Sequence, residues 1–223
     1  MVLSFLDRLL CGILYLEKQI MEVKYIKIRA DFKYADKGRF YRTFLVKEDV
    51  NLGELGEFIV EIFGGTLEHY FLYRLKDRHY VPSEWMDDSL MSNFIKYEPF
   101  KEKSILDLPD EFEFAYDTGD GWDFKCKKYK KPIIKEVDES DISFGFVLEG
   151  KGMGIWEDNI YSLYAYLNGE IDKDFNKEDE EKGIYKPWNF DIDKYSEFDN
   201  PLDINELNHI AMSFWPIGEE NRY

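Results

Sequence analysis

A chain of 223 residues with 29 Lys+Arg against 46 Asp+Glu carries a formal charge of −17. Phosphate binding draws its affinity from clustered Lys and Arg, so this balance excludes free nucleic-acid binding by the whole chain, and docking on anionic membrane as well. Disorder is excluded too, because 44% of the residues are hydrophobic and 18 Phe, 16 Tyr and 5 Trp are present to build a core.

The length suits one large domain or two small ones. The first 16 residues are apolar, and Leu3, Leu6, Leu10, Ile13 and Leu14 fall at helical spacing. Asp7 and Arg8 interrupt the run, and neither a basic start nor a small-residue cleavage site accompanies it. An amphipathic helix or extension over 1–21 is therefore expected, rather than a leader or a membrane span. Met21 directly precedes the first strand-like run and offers an alternative translation start. Cys11 and Cys126 form no CxxC pair, and three scattered histidines complete no zinc pattern. Two reduced thiols and a cytoplasmic location are expected.

Residues 23–32 and 40–46 alternate polar and apolar side chains around a turn cluster at Asp36, Lys37 and Gly38, which predicts a β-hairpin. Asn51 followed by Glu54 has capping-box spacing. Leu52, Leu55, Phe58, Ile59 and Ile62 then make one apolar helical stripe, closed by Gly64-Gly65. Residues 69–81 predict a second hairpin turning at Lys76-Asp77, and 83–104 predict loop with a short helix. Residues 111–116 alternate, with Phe112, Phe114 and Tyr116 on one face. A turn through Asp117, Gly119, Asp120 and Gly121 leads to residues 122–129, where Trp122, Phe124 and Cys126 share a face.

Residues 141–148 predict one more strand, and 150–154 form a glycine loop. A helix is predicted over 158–167, with Ile160, Leu163, Tyr164 and Leu167 on one face. Residues 172–182 are a charge run, read as a solvated face. Asp203 to Glu206 has capping-box spacing and opens a helix that ends near Pro216. The order predicts an α+β fold: a β-grasp-like mixed sheet with a packed helix over 22–131, plus a smaller, acidic, mainly helical part over 132–223 packed on it as one structural unit.

Residues 113–128 resemble the signature of the plasmid pRiA4b ORF-3-like family, whose members recur with insertion elements and plasmids. Tyr116, Asp117, Gly119, Asp120, Gly121 and Trp122 match its Tyr-Asp-x-Gly-Asp-Gly-Trp motif. Leu52 to His69, Ser104 to Leu108, Val147 to Asn159, Phe190-Asp191 and Asp203 to Leu207 match further segments in order, so the resemblance covers roughly 22–212. The glycine loop departs from the family pattern. Ile155-Trp156 precede Glu157-Asp158, and Asn159-Ile160 stand where relatives often carry a cysteine. Some members bear a transposon-resolvase-like label. Such chemistry needs a nucleophilic Ser backed by several Arg and a basic DNA-binding module, and this chain shows neither.

Candidate ligand-binding residues are His69, Asp117, Asp120, Gly121, Trp122, Glu157 and Asp158. Asp117, Asp120, Glu157 and Asp158 could converge on a divalent cation, since carboxylate oxygens suit Mg²⁺, Mn²⁺ or Ca²⁺. The competing structural reading has the aspartates capping turn amides and Trp122 in the core. His69 offers a base or ligand. Asp123 is expected to point away from its neighbours by strand alternation. The glycine loop lacks the Gly-Lys-Ser/Thr ending of a phosphate-binding loop. Lys125, Lys127, Lys128, Lys130 and Lys131 form one basic run, read as a partner for the acidic C-terminal half.

The function expected from these residues is that of a non-enzymatic binding or interaction protein, associated with mobile elements through its relatives. Its ligand would be a protein or small molecule held near the Gly-Asp-Gly-Trp hairpin, with no cofactor. The alternative is a metal-assisted phosphoester hydrolase using the same carboxylates.

Overall fold

The computed structural model describes residues 19–87, 95–155, 157, 160–167 and 201–217. Residues 1–18 of the expected N-terminal helix or extension, the charge run over 172–182 and the candidate ligand Asp158 lie outside the described residues, and the last two positions of that segment, Ile20 and Met21, are already strand. The class is α+β: nine strands form one mixed sheet with helices packed on it.

The order along the sheet is β5 (Lys96–Pro99), β4 (Arg78–Val81), β3 (Phe71–Arg74), β6 (Glu111–Tyr116), β7 (Trp122–Lys128), β1 (Ile20–Phe32), β2 (Tyr41–Lys47) and β9 (Gly145–Lys151), with β8 (Ile133–Asp138) also paired to β1. Strand β1 (Ile20–Phe32) is the longest, at 13 residues. It pairs antiparallel with β2 (Tyr41–Lys47) on one edge. Its other edge is shared in succession. β7 (Trp122–Lys128) covers its second half and β8 (Ile133–Asp138) its first half, both antiparallel. Pro132 separates β7 from β8, and proline has no N–H to give to a ladder.

Helix α1 (Leu52–Ile62) begins as the sequence predicts. The Asn51 side chain accepts from the Glu54 N–H at 2.9 Å, and the Glu54 carboxylate accepts from the Asn51 N–H at 3.0 Å. It ends in a Schellman turn, with Gly64 N–H on Glu61 O at 2.9 Å and Gly65 N–H on Val60 O at 3.0 Å. Leu52, Leu55, Phe58, Ile59 and Ile62 are all fully buried, each side chain contributing about 1.5–3 kcal/mol relative to exposure. Gly56 lies against the sheet so closely that a Cβ there would come within 2.1 Å of the Phe71 ring.

The second hairpin is β3 (Phe71–Arg74) and β4 (Arg78–Val81), turning where expected. Within 83–104 the structure adds a short parallel strand, β5 (Lys96–Pro99), beside β4. Four residues without alternation gave no signal for it. Strand β6 (Glu111–Tyr116) pairs with β7 and β3. Phe112, Phe114, Tyr116, Trp122, Phe124 and Cys126 are buried, as the alternation required. Burial pushes the Cys126 thiol well above its usual range, so it is an inert core residue.

The part after residue 131, expected to be mainly helical, contributes β8 and β9 (Gly145–Lys151) to the sheet. Strand β8 escaped the sequence reading because its residues are half-exposed and carry no alternating apolar face. Helix α2 (Ile160–Leu167) buries Ile160 and Leu163 and rests Tyr164 and Leu167 on the core. Helix α3 (Ile204–Ser213) is capped by the Asp203 carboxylate, which accepts from the Asn205 and Glu206 N–H groups. It packs on β9 and α1.

In the basic run, Lys125 stands in register with Asp31 and Glu113 and Lys127 with Glu111. Beyond the end of β7, Lys130 pairs with Asp110 at 3.0 Å, and the ammonium of Lys128, the last residue of the strand, donates to the Ile105 and Leu108 carbonyls.

Candidate functional site

The β6–β7 turn, the end of α1 and the segment after the glycine loop meet at one place. Asp117 leaves β6 in a left-handed conformation (φ 47°), which Asp tolerates better than most residues. Its N–H reaches Tyr70 O at 3.0 Å, and its carbonyl takes the Gly121 N–H at 2.6 Å. Gly121 itself has φ 87°. This bend turns the Asp117 carboxylate back into its own loop. Oδ1 accepts the Gly119 N–H at 3.1 Å and the Asp120 N–H at 3.2 Å, as in an Asx turn. Oδ2 faces His69 Nε2 at 3.7 Å.

Glu157 arrives from the opposite side. Its Oε1 accepts three hydrogen bonds: Thr66 N–H at 2.8 Å, Thr66 O–H at 3.1 Å and Tyr116 O–H at 2.8 Å. Its Oε2 stands 3.9 Å from His69 Nε2 and is buried, with no hydrogen-bond partner among the described residues. Gly65 leaves room for this approach, since a Cβ there would lie 3.2 Å from Glu157 Oε1. Burial, and then the hydrogen bond to Glu157, hold the Tyr116 hydroxyl well above the usual tyrosine range, so it stays a donor at neutral pH.

One ligand atom each from His69, Asp117 and Glu157 lies within 4.8 Å of the other two. Tetrahedral coordination at about 2.0–2.2 Å sets ligand atoms about 3.3–3.6 Å apart. The two histidine separations, 3.7 and 3.9 Å, are a few tenths of an ångström longer. Closing the carboxylates on an ion would give Glu157 Oε2 the partner it lacks.

Of the residues named from sequence, the structure brings His69, Asp117 and Glu157 together. Asp120 is turned to α2, where its Oδ2 takes the Ile160 N–H at 3.5 Å; among the described residues it does not join the cluster. Its role here is the capping one. Gly121 supplies the bend, and Trp122 is fully buried in the core against Phe32 and Phe40. Asp123 points to the opposite face, as alternation predicts, toward Arg74, Lys33 and Tyr34.

Sequence reasoning missed Thr66, the role of the Tyr116 hydroxyl, and Arg42. Arg42 carried a signal: with Phe40, Phe44 and Val46 it falls on the inward face of β2, and it is buried to 1% exposure.

Fold and site together define an α+β sheet protein with a histidine–dicarboxylate cluster at the mouth of a glycine-rich hairpin. The sequence matches the family model described as plasmid pRiA4b ORF-3-like protein over residues 24–200, and the chain belongs to that family. No curated protein matches it. Its fold is similar to a crystal structure of a protein of unknown function from Methanosarcina mazei Go1. That likeness has TM-score 0.55 and 16% identity, covering 77% of this chain and 96% of that chain. No helix among the described residues is long and apolar enough to cross a membrane.

Proposed function

We propose that this chain is a binding protein that takes a divalent cation at His69, Asp117 and Glu157. The observation that carries the reading is the Glu157 carboxylate. One oxygen is held by three donors, while the other is buried without a hydrogen-bond partner among the described residues and faces the imidazole. A buried, unsatisfied carboxylate oxygen is costly unless something positive completes it. One imidazole nitrogen with two carboxylate oxygens suits Zn²⁺, Mn²⁺ or Fe²⁺ better than an all-oxygen ion.

Thr66 and Tyr116 orient Glu157 from behind, and the turn amides orient Asp117. Such outer contacts fix ligand geometry and commonly matter 10–100-fold in affinity. The protein ligand or small molecule expected from sequence would then be recognised through the ion. The acidic surface favours a target other than free nucleic acid, in the cytoplasm.

A second reading, metal-assisted phosphoester hydrolysis, is favoured by the ligand count. Three protein ligands leave at least one coordination position for water or substrate. Calorimetric titration of the metal-free protein with Zn²⁺ and Mn²⁺ tests the binding reading. One ion per chain is expected, lost in Glu157→Gln and in His69→Ala; equal heats from all three proteins would sink it. Turnover of an aryl phosphodiester that depends on the same ion and on Glu157 would add the hydrolase reading.

A further inference from the structure

We infer that Arg42 is the positioning residue that sets where Glu157 stands, by gripping the end of α1 and the glycine loop together. The inference rests on the cation site proposed above and names the part of the fold that aligns it.

Arg42 is buried among main-chain carbonyls. Its Nε–H goes to Ile62 O at 3.3 Å, Nη1 to Tyr41 O at 2.9 Å and Lys151 O at 2.8 Å, and Nη2 to Gly152 O at 3.0 Å. Its guanidinium carbon lies 4.9 Å from the centre of the Phe63 ring. Among the described residues no carboxylate pairs with it. Burial pushes its pKa down to about 9, which still leaves it charged at neutral pH. A buried charge without a carboxylate is held here for its geometry. The last carbonyls of a helix lack intrahelical partners and carry negative partial charge, so Ile62 O is a natural acceptor.

The grip is the first of three ties laid in register. Gly152 is joined to Ile62 through the guanidinium. Ile155 N–H then reaches Phe63 O at 2.6 Å. Gly154 permits that approach, because a Cβ there would meet Phe63 O at 2.5 Å. Glu157 then receives the Thr66 N–H. Loop residues 152, 155 and 157 thus run alongside helix-end residues 62, 63 and 66. A shift at the first tie is passed to the last, where Glu157 faces His69. A lysine cannot reproduce the grip, since a point charge with three donors does not fork across two segments.

The test uses the full chain as Arg42→Lys and as Gly154→Ala, with two readouts. In metal-free buffer, amide hydrogen exchange by NMR should quicken at least tenfold at Ile155 and Thr66 in both variants. The amides of the β1–β7 ladder should keep their protection. By calorimetry, the dissociation constant for Zn²⁺ or Mn²⁺ should rise at least tenfold. If Arg42→Lys does not fold, Gly154→Ala still lifts the loop from Phe63 without altering the guanidinium. Unchanged Thr66 exchange in the folded variants overturns the inference, whatever the ion affinity does. Loosened Thr66 and Ile155 amides in a protein whose wild type binds neither ion would uphold the positioning role and overturn the cation site alone.

Discussion

Asp117 and Asp123 flank the same turn and are buried alike, each at 6% exposure, yet they live in opposite electrostatic settings. Asp123 faces the open side of the sheet and is matched by permanent cations. Arg74 pairs with it at 2.5 Å, Lys33 stands at 3.7 Å, and the Tyr34 hydroxyl donates at 3.2 Å. Asp117 faces the helix end beside a second carboxylate, Glu157. Among the described residues their basic neighbour is one histidine. A nearly buried carboxylate needs compensation. Where it comes from Arg and Lys, the group is structural. Asp117 is compensated by two turn amides and one imidazole, and beside it Glu157 Oε2 has no hydrogen-bond partner among the described residues. In the proposed reading, one face of the hairpin serves stability and the other binding.

Substitutions at the turn should separate these two settings. Trp122→Ala should damage both faces at once, because it empties the core beneath the turn. A loss of about 3–5 kcal/mol is expected in urea unfolding, and a variant as stable as the parent would mean the turn does not rest on that core. Next is Glu157→Gln. Without ions its stability should stay within about 0.5 kcal/mol of the parent. At Zn²⁺ or Mn²⁺ a hundredfold above the dissociation constant, the parent should gain about 2.7 kcal/mol that the variant does not. An equal gain in both proteins, read by thermal unfolding, would place the ion elsewhere.

Asp123→Asn should behave in the reverse way. It leaves Arg74 and Lys33 uncompensated, and a loss of about 1–2 kcal/mol is expected, moderated because both cations are partly exposed. Ion binding should not change; a tenfold weaker dissociation constant would show that the two faces are coupled.

The smallest effect is a pH dependence remote from both aspartates. Glu98 is held down to about 2 by hydrogen bonds from Lys96 and then Lys103, which ties β5 to its surroundings. A carboxylate depressed in the fold lends stability above its unfolded pKa, near 4.3, and loses it as pH falls toward 2. A mild acid-side decline should therefore flatten in Glu98→Gln. Curves for the two proteins that remain parallel between pH 5 and 2 would remove this account.

Much of this was legible from residues alone, for reasons that are local. Asn51 and Glu54 announce α1, Gly64-Gly65 close it, and Phe112 to Tyr116 with Trp122 to Cys126 declare a hairpin with an inward aromatic face. Capping, left-handed turns and period-two alternation act within a few residues, so they are written in consecutive positions. Strands β5 and β8 were not legible, because each is stabilised by the neighbour it joins rather than by its own pattern. Of the proposed site, Asp117, Glu157 and His69 could be named, but so could Asp120, and nothing local separates a ligand from a cap.

The α+β class, the first helix with both its ends, the core face of the central hairpin and the acidic balance all follow from residue pattern and composition. Which carboxylates meet depends on long-range packing. Glu157 reaches Asp117 because Arg42, Gly152, Gly154 and Ile155 lay a distant loop along the end of α1. Arg42 and Ile62 are 20 positions apart, and the contacts to the loop join residues about ninety to one hundred and ten positions apart. Their geometry follows from packing and from the donors and acceptors left over at a helix terminus, which no local pattern encodes.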